Sequence, residues 1–107
     1  MILSTTDSLQ GTNIQNYLGI VTAEVVYGSN ALREFFAGIR DVLGGRTAAY
    51  ERAFEKGQQD ALKELESRAK RLGADAVVGV QVKTDTINID DHGVLMLITA
   101  TGTAVKL

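Results

Sequence analysis

Hydrophobic positions recur with a two-residue period in three segments of the chain, which is the pattern of half-buried β-strands. These segments are residues 14–27, 74–86 and 94–105. A short strand is also predicted at residues 2–4, followed by a hydroxyl-rich turn. Beyond Thr84 the apolar positions Ile87 and Ile89 change parity, which predicts a bulge or register change at that point.

Two other segments carry apolar residues at three- and four-residue spacing, and each predicts an amphipathic helix. The first follows a break at residues 28–30, where Ser29 or Asn30 supplies a cap, and ends at the double glycine 44–45. The second runs from about residue 47 to about residue 72. Its predicted apolar seam consists of Tyr50, Phe54, Ala61, Leu65 and Leu72, widened by Ala53, Leu62 and Ala69.

Glycine within this second helix indicates a close approach. Gly57 lies in mid-helix, where glycine costs about 1 kcal/mol relative to alanine, and another backbone packed against it is the natural compensation. Gly73 follows the last apolar position and predicts the end of the helix.

Together these elements predict an α+β fold, a small antiparallel sheet with two helices packed on it, the second helix long. Strands 14–27 and 94–105 are apolar on both faces, but two helices cover only one. An uncovered apolar face usually marks an interface. The second helix reaches about 39 Å at 1.5 Å per residue, longer than a domain of this size is wide. We therefore expect a homo-oligomer built from a single domain, residues 1–107.

Composition excludes several classes of function. The chain has 107 residues, no cysteine and no proline, and a formal charge of −2 from 13 acidic and 11 basic residues. The basic residues are interleaved with acidic ones, which argues against a nucleic-acid binder. The absence of cysteine removes disulfides, thiolate nucleophiles and thiolate metal ligands. No signal peptide or membrane span is recognisable, so a cytoplasmic location is expected.

The joint between the two helices is the candidate ligand site. It gathers the polar side chains Arg40, Asp41, Arg46, Tyr50 and Glu51. On one interpretation two guanidinium groups bind an anion, oriented by the tyrosine and the carboxylates. On the other, the charges pair to lock a tight turn and a subunit contact. The second interpretation is favoured, because polar groups at a buried joint need partners whether or not a ligand binds.

Other polar motifs indicate little chemistry. Asp90, Asp91 and His92 lie in a predicted hairpin loop, where three adjacent residues rarely enclose one metal ion. Ser4, Thr5 and Thr6 carry hydroxyls without a neighbouring base, since His92 is the only histidine. A turn stabilised by side-chain to backbone hydrogen bonds explains them better than nucleophilic catalysis. An enzyme is accordingly disfavoured.

Several motifs taken together resemble the YbjQ family of small bacterial proteins of unassigned function. They are Ser4-Thr5-Thr6, Gly19-Ile20-Val21-Thr22-Ala23-Glu24, Phe35-Phe36-Ala37-Gly38-Ile39-Arg40-Asp41, Gly44-Gly45-Arg46 with Tyr50-Glu51, Gly73-Ala74-Asp75-Ala76-Val77-Val78-Gly79 and Thr101-Gly102-Thr103-Ala104-Val105. The resemblance implies an α+β subunit of a ring-like assembly, a pentamer. The family is also described as heavy-metal-binding, a description that the residues of this chain do not support, because it has no cysteine and one histidine.

The sequence thus predicts a non-enzymatic, homo-oligomeric binding or scaffold protein without a cofactor, whose principal partner is itself. Its unknown small-molecule or ion ligand is expected at a subunit interface, near the five residues of the joint. The alternative is a protein that binds divalent or heavy metals through carboxylates, with or without His92. An enzyme with an interfacial active site ranks third.

Overall fold

A computed structural model describes residues 1–28, 30–32, 45–88 and 93–107, with backbone alone at 45–49. Its four strands form one sheet in the order β1-β3-β4-β2. The strands are β1 (Ile2–Leu3), β2 (Asn16–Tyr27), β3 (Ala76–Asn88) and β4 (Val94–Lys106). Residues 30–32 are helical, and a long helix spans Gly45–Arg71. The predicted α+β class is confirmed, with one long helix.

The sheet is mixed, and the prediction of an antiparallel sheet was wrong at β1. Strands β2 and β3 both pair antiparallel with β4, whereas β1 runs parallel to β3, with Ile2 opposite Ala76. A parallel pair needs a long crossover connection, and more than seventy residues separate these partners in the chain. Two apolar residues at the start of a sequence carry no signal for strand direction.

A bulge at the start of β2 exchanges the two faces of that strand. Its register shifts between Tyr17 and Gly19, and Gly19 has a φ of 126°. Leu18 consequently packs in the main core, while Tyr17 is 69% exposed on the opposite face. Without the bulge, simple alternation would place Tyr17 on the same face as Val21, which is buried.

The irregularity in β3 lies earlier than predicted. The register shifts between Val78 and Gln81, around Gly79 with a φ of 60°, and pairing is regular from Gln81 to Asn88. The parity change past Thr84 therefore does not mark a bulge. Instead, Ile87 stays in register opposite Leu95, on the face of the sheet that the long helix does not cover.

The main core lies between the long helix and one face of the sheet. The helix buries four small or branched side chains against β2 and β4: Ala53, Ala61, Leu65 and Ala69. Tyr50, Phe54 and Leu62 are partly buried beside them, as the predicted seam requires. Leu72 departs from it, because the helix has ended at Arg71 and this side chain is 50% exposed.

The helix ends in a Schellman motif at Gly73. The Gly73 amide donates to the Lys70 carbonyl at 2.9 Å, and the Ala74 amide donates to the Ala69 carbonyl at 3.1 Å. Gly73 has a φ of 82°, in the left-handed region that glycine adopts without strain. Ala74 then packs against the main core, so the chain turns directly into β3.

A smaller core covers part of the opposite face of the sheet. Ala76, Val78 and Val105 are buried there, and Leu9 and Ile14 from the segment before β2 pack on them. This segment covers only the end of the sheet where β1 pairs with β3. The rest of that face lies beyond its reach.

Candidate assembly surface

We call the open face the surface of the sheet that faces away from the long helix and that the smaller core leaves uncovered. Residues that oppose each other on paired strands share a face, so the register identifies its members. At one end Val26 opposes Leu97, and Ile87 opposes Leu95. Ile20 is 80% exposed and Val26 is 57% exposed. Apolar side chains this exposed on a flat surface are typical of an interface.

Polar rows cross the middle of the open face between these apolar ends. Thr101 lies between Thr22 and Gln81, and the next row places Thr99 between Glu24 and Lys83. The open face therefore carries a carboxylate along its β2 edge and an ammonium group along its β3 edge. Both side chains are exposed, with relative accessibilities of 51% and 77%.

Arg68 of the long helix reaches around the outer edge of β2. Its Nη1 donates to the Thr22 carbonyl oxygen at 2.6 Å and lies 3.7 Å from Glu24 Oε1. Its Nε donates to Glu64 Oε1 at 3.1 Å. Sequence spacing by itself indicates only this last pair, an i,i+4 contact like the one from Glu66 to Lys70. A contact between residues 46 positions apart leaves no local signal.

A second polar contact joins the helix to the other end of β2. Tyr27 Oη donates to Asp60 Oδ2 at 3.1 Å, and Lys56 Nζ lies 2.9 Å from Asp60 Oδ1. Burial, together with the hydrogen bond to Asp60, raises the pKa of Tyr27 to about 12. The hydrogen bond from Lys56 lowers the pKa of Asp60. Both shifts favour the neutral phenol and the charged carboxylate, which are the protonation states in which this hydrogen bond forms.

The five residues of the predicted ligand site are only partly within the described structure. Arg40 and Asp41 lie outside the described residues, and Arg46 is described as backbone in the first turns of the helix. Tyr50 is half-buried against the main core, whereas the neighbouring Glu51 is exposed. Positions 46 and 50 are one turn apart on the same side of the helix.

The other candidate motifs have structural explanations or fall outside the described residues. Asp90, Asp91 and His92 belong to the second group. The Ser4 and Thr6 hydroxyls lie 2.6 Å apart, the Thr6 amide donates to Ser4 Oγ, and Thr6 Oγ1 donates to the Ser8 carbonyl. The predicted hydroxyl-stabilised turn is therefore confirmed.

The potential metal-ligating side chains of the described residues lie apart from one another. Within residues 1–28, 30–32, 45–88 and 93–107, no three His, Cys, Asp or Glu side chains are grouped closely enough to hold an ion. The whole chain has no cysteine and one histidine, so soft-metal ligands are scarce. The described residues of a single chain therefore do not fit a heavy-metal centre. In the same part of the chain, no helix is long and apolar enough to cross a membrane.

Comparison with known proteins gives a consistent result across the whole chain. The YbjQ family, whose description reads "Putative heavy-metal-binding", matches residues 1–107. A UPF0145 protein of Picosynechococcus sp. is 70% identical over 107 residues, covering 100% of this chain and 99% of that protein. A UPF0145 protein of Nostoc punctiforme is 69% identical over the same coverage.

Among solved structures, the fold is similar to that of a DUF74-family protein of unknown function from Pediococcus pentosaceus. The TM-score is 0.62 at 15% sequence identity, covering 100% of this chain and 97% of that one. The likeness extends over the whole fold.

Proposed function

Since the chain belongs to the YbjQ family, we propose that it is a non-enzymatic subunit of a homo-oligomeric ring, a pentamer, which acts as a binding or scaffold protein. The observation that carries this proposal is the open face. A chain that works alone gains nothing by leaving Ile20 and Val26 in water, because each buried apolar Å² contributes about 25 cal/mol.

The shape of the subunit supports the same proposal. The radius of gyration is 16.7 Å, whereas a compact domain of about 100 residues has a value of about 13 Å. The principal extents are 51, 27 and 19 Å, so the subunit is long and thin. A thin two-layer subunit exposes a large fraction of its sheet, and neighbouring copies bury it.

The ligand-binding part of the proposal concerns the helix joint. We propose that the ligand site forms at a subunit interface near Arg40, Asp41, Arg46, Tyr50 and Glu51. The exposed Glu51 beside the half-buried Tyr50 supports a surface that is partly anchored in the core and partly open to a neighbour.

Native mass spectrometry of the purified protein tests the assembly and its contents together. We expect one species with five times the mass of a single chain. A mass equal to one chain at micromolar concentration would overturn the proposal.

The joint is tested by Arg46→Ala, with Arg52→Ala on the exposed surface of the same helix as the matched control. We expect the first to dissociate the assembly and the second to leave it intact. If Arg46→Ala keeps the assembly but loses a retained small molecule or anion, the joint is a binding pocket rather than a structural contact.

Metal binding is the second candidate, favoured by the description of the family. It requires carboxylates brought together from several subunits, with or without His92, because the described part of a single chain offers no cluster. Elemental analysis of the intact assembly distinguishes the two candidates. A stoichiometric metal content favours this one, and a background content together with no thermal shift on adding divalent ions counts against it.

A further inference from the structure

The outer edge of β2 offers backbone hydrogen-bonding groups to a further strand. In an antiparallel pair, the N–H and C=O of one residue point to the same side, and successive residues alternate. The Thr22 carbonyl accepts from Arg68, so Thr22 points away from β4. By alternation, the N–H and C=O groups of Glu24 and Val26 also point outward. No strand of the described structure lies beyond them.

The opposite edge of the sheet is also open over half of its length. Strand β1 and the residues after it cover β3 only as far as Val80, whose amide donates to the Ser4 carbonyl. Thr101 is opposite both Thr22 and Gln81. Because Thr22 points away from Thr101, the polar groups of Thr101 must point to Gln81, which therefore points inward.

Alternation along β3 then sets which groups lie on its open edge. With Gln81 pointing inward, the N–H and C=O groups of Val82, Thr84 and Thr86 point outward. Long open edges are usually protected against association. In the described structure neither edge contains proline, and Arg68 is the one charged side chain that donates a hydrogen bond to a carbonyl of these edges.

We propose that β2 of one copy pairs in parallel with residues 82–86 of β3 in the next copy, an interface that rests on the proposed homo-oligomer. Both strands run antiparallel to β4 and hence in the same direction. A rotation about an axis along the strands keeps that direction. Such a contact joins two different surfaces of the chain, and heterologous contacts that close generate rings.

The register follows from the hydrogen bonds and the charges. In a parallel ladder, an outward-pointing residue bonds to the two residues that flank the one opposite it. Glu24 then bonds to Val82 and Thr84 of the next copy and lies opposite its Lys83. Both of these charged side chains are on the open face, so the carboxylate and the ammonium group meet. A shift by two residues would set Glu24 against Asp85 or Gln81 instead.

Pairing of β2 with β2 of a second copy is less favourable. It brings Glu24 of one copy towards Glu24 of the other, and Arg68 towards Arg68, so that like charges meet. It also leaves the β3 edge open. In the pairing of β2 with β3, a backbone amide of the next copy donates to the Thr22 carbonyl in place of Arg68. Arg68 retains Glu64, which lies 3.1 Å from its Nε.

The absence of cysteine allows a direct test by cross-linking. We expect the double variant Glu24→Cys with Lys83→Cys to form, on mild oxidation, a covalent ladder up to the size of the ring on non-reducing gels. Each single-cysteine variant should migrate as one chain on the same gels, because its thiol does not lie beside the same thiol of a neighbouring copy. A covalent dimer of the Glu24→Cys variant would overturn the arrangement in favour of β2–β2 pairing.

Proline at position 84 tests the ladder independently. The N–H of Thr84, which proline lacks, points outward, so no hydrogen bond within the sheet is lost. Proline is tolerated on such edges. We expect Thr84→Pro to reduce the native mass to one chain while circular dichroism is unchanged, and the control Thr84→Ala to keep the assembly.

The two proposals fail separately. If the unmodified protein is a monomer, the proposed function is overturned. If it is an oligomer but the double-cysteine variant does not cross-link and Thr84→Pro still assembles, only the edge pairing is overturned.

Discussion

Gly57 of the long helix lies against Ile98 of β4 so closely that a Cβ atom at position 57 would overlap Ile98 Cδ1. Tyr27 Cε2 would lie only 3.2 Å from the same Cβ. The sequence predicted a close approach at this glycine, and the structure confirms it. However, the approaching groups are side chains rather than the backbone that was expected, because the sheet is packed face-on against the helix.

Gly57→Ala should therefore destabilise the protein although alanine is the better helix former. The gain of about 1 kcal/mol in helix propensity is outweighed by overpacking, which costs about 1–3 kcal/mol in a filled core. Chemical unfolding monitored by circular dichroism measures the difference.

The double variant Gly57→Ala with Ile98→Val is the matched test, since valine lacks the overlapping Cδ1. Ile98→Val alone should cost about 1 kcal/mol. In the alanine background it should cost less or stabilise the protein, which is the sign of direct coupling. Additive effects would contradict the contact.

Tyr27→Phe should lower stability by about 1 kcal/mol at neutral pH, through loss of the hydrogen bond to Asp60. The folded pKa of Tyr27 is about 12, above the ordinary value of 10.0. The contribution of the phenol is thus complete below pH 10 and is lost as the pH rises towards 12.

Unfolding free energies measured between pH 9 and 12 should consequently fall more steeply for the unmodified protein than for Tyr27→Phe. Tyr17→Phe, at an exposed side chain, is the control and should follow the unmodified protein. If the curves of Tyr27→Phe and the unmodified protein were parallel, ionisation of a buried Tyr27 would be excluded as the cause of the loss of stability between pH 9 and 12.

Gly73→Ala should destabilise the end of the long helix by about 1 kcal/mol, because alanine is strained at positive φ. A Cβ there meets no atom within 4 Å, so the cost comes from backbone strain alone. Gly73→Asn should cost less, since asparagine tolerates the left-handed region. Equal losses in thermal unfolding for the two variants would point to a different cause.

Gly102→Ala should also destabilise the protein, by about 2 kcal/mol from overpacking. Its Cβ would lie 2.6 Å from Val77 Cγ1 and 3.2 Å from the Val78 carbonyl oxygen. Shortening Val77 to alanine should give only partial rescue, because the backbone oxygen remains. Complete rescue would contradict this explanation, because it would show that the backbone at Val78 shifts to make room for the new Cβ.

Much of the secondary structure could be predicted locally, because its signals are periodic. The strand and helix periods located β2, β4 and the long helix to within about two residues, and Gly73 marked the helix end. The two-faced apolar pattern also indicated that one face of the sheet would lack a cover. These features depend on neighbouring residues, whose spacing is visible in the chain.

Contacts between distant residues were decided by the tertiary structure. The parallel direction of β1, the bulge that exposes Tyr17 and the irregularity before Gln81 each depend on which strand lies alongside. The contact from Arg68 to the Thr22 carbonyl also has no local signature. The sequence by itself determined the elements and their apolar surfaces, since periodicity encodes burial. Only the tertiary structure decided the register of the strands and which of them lie at the edges of the sheet, because both depend on how strands pair.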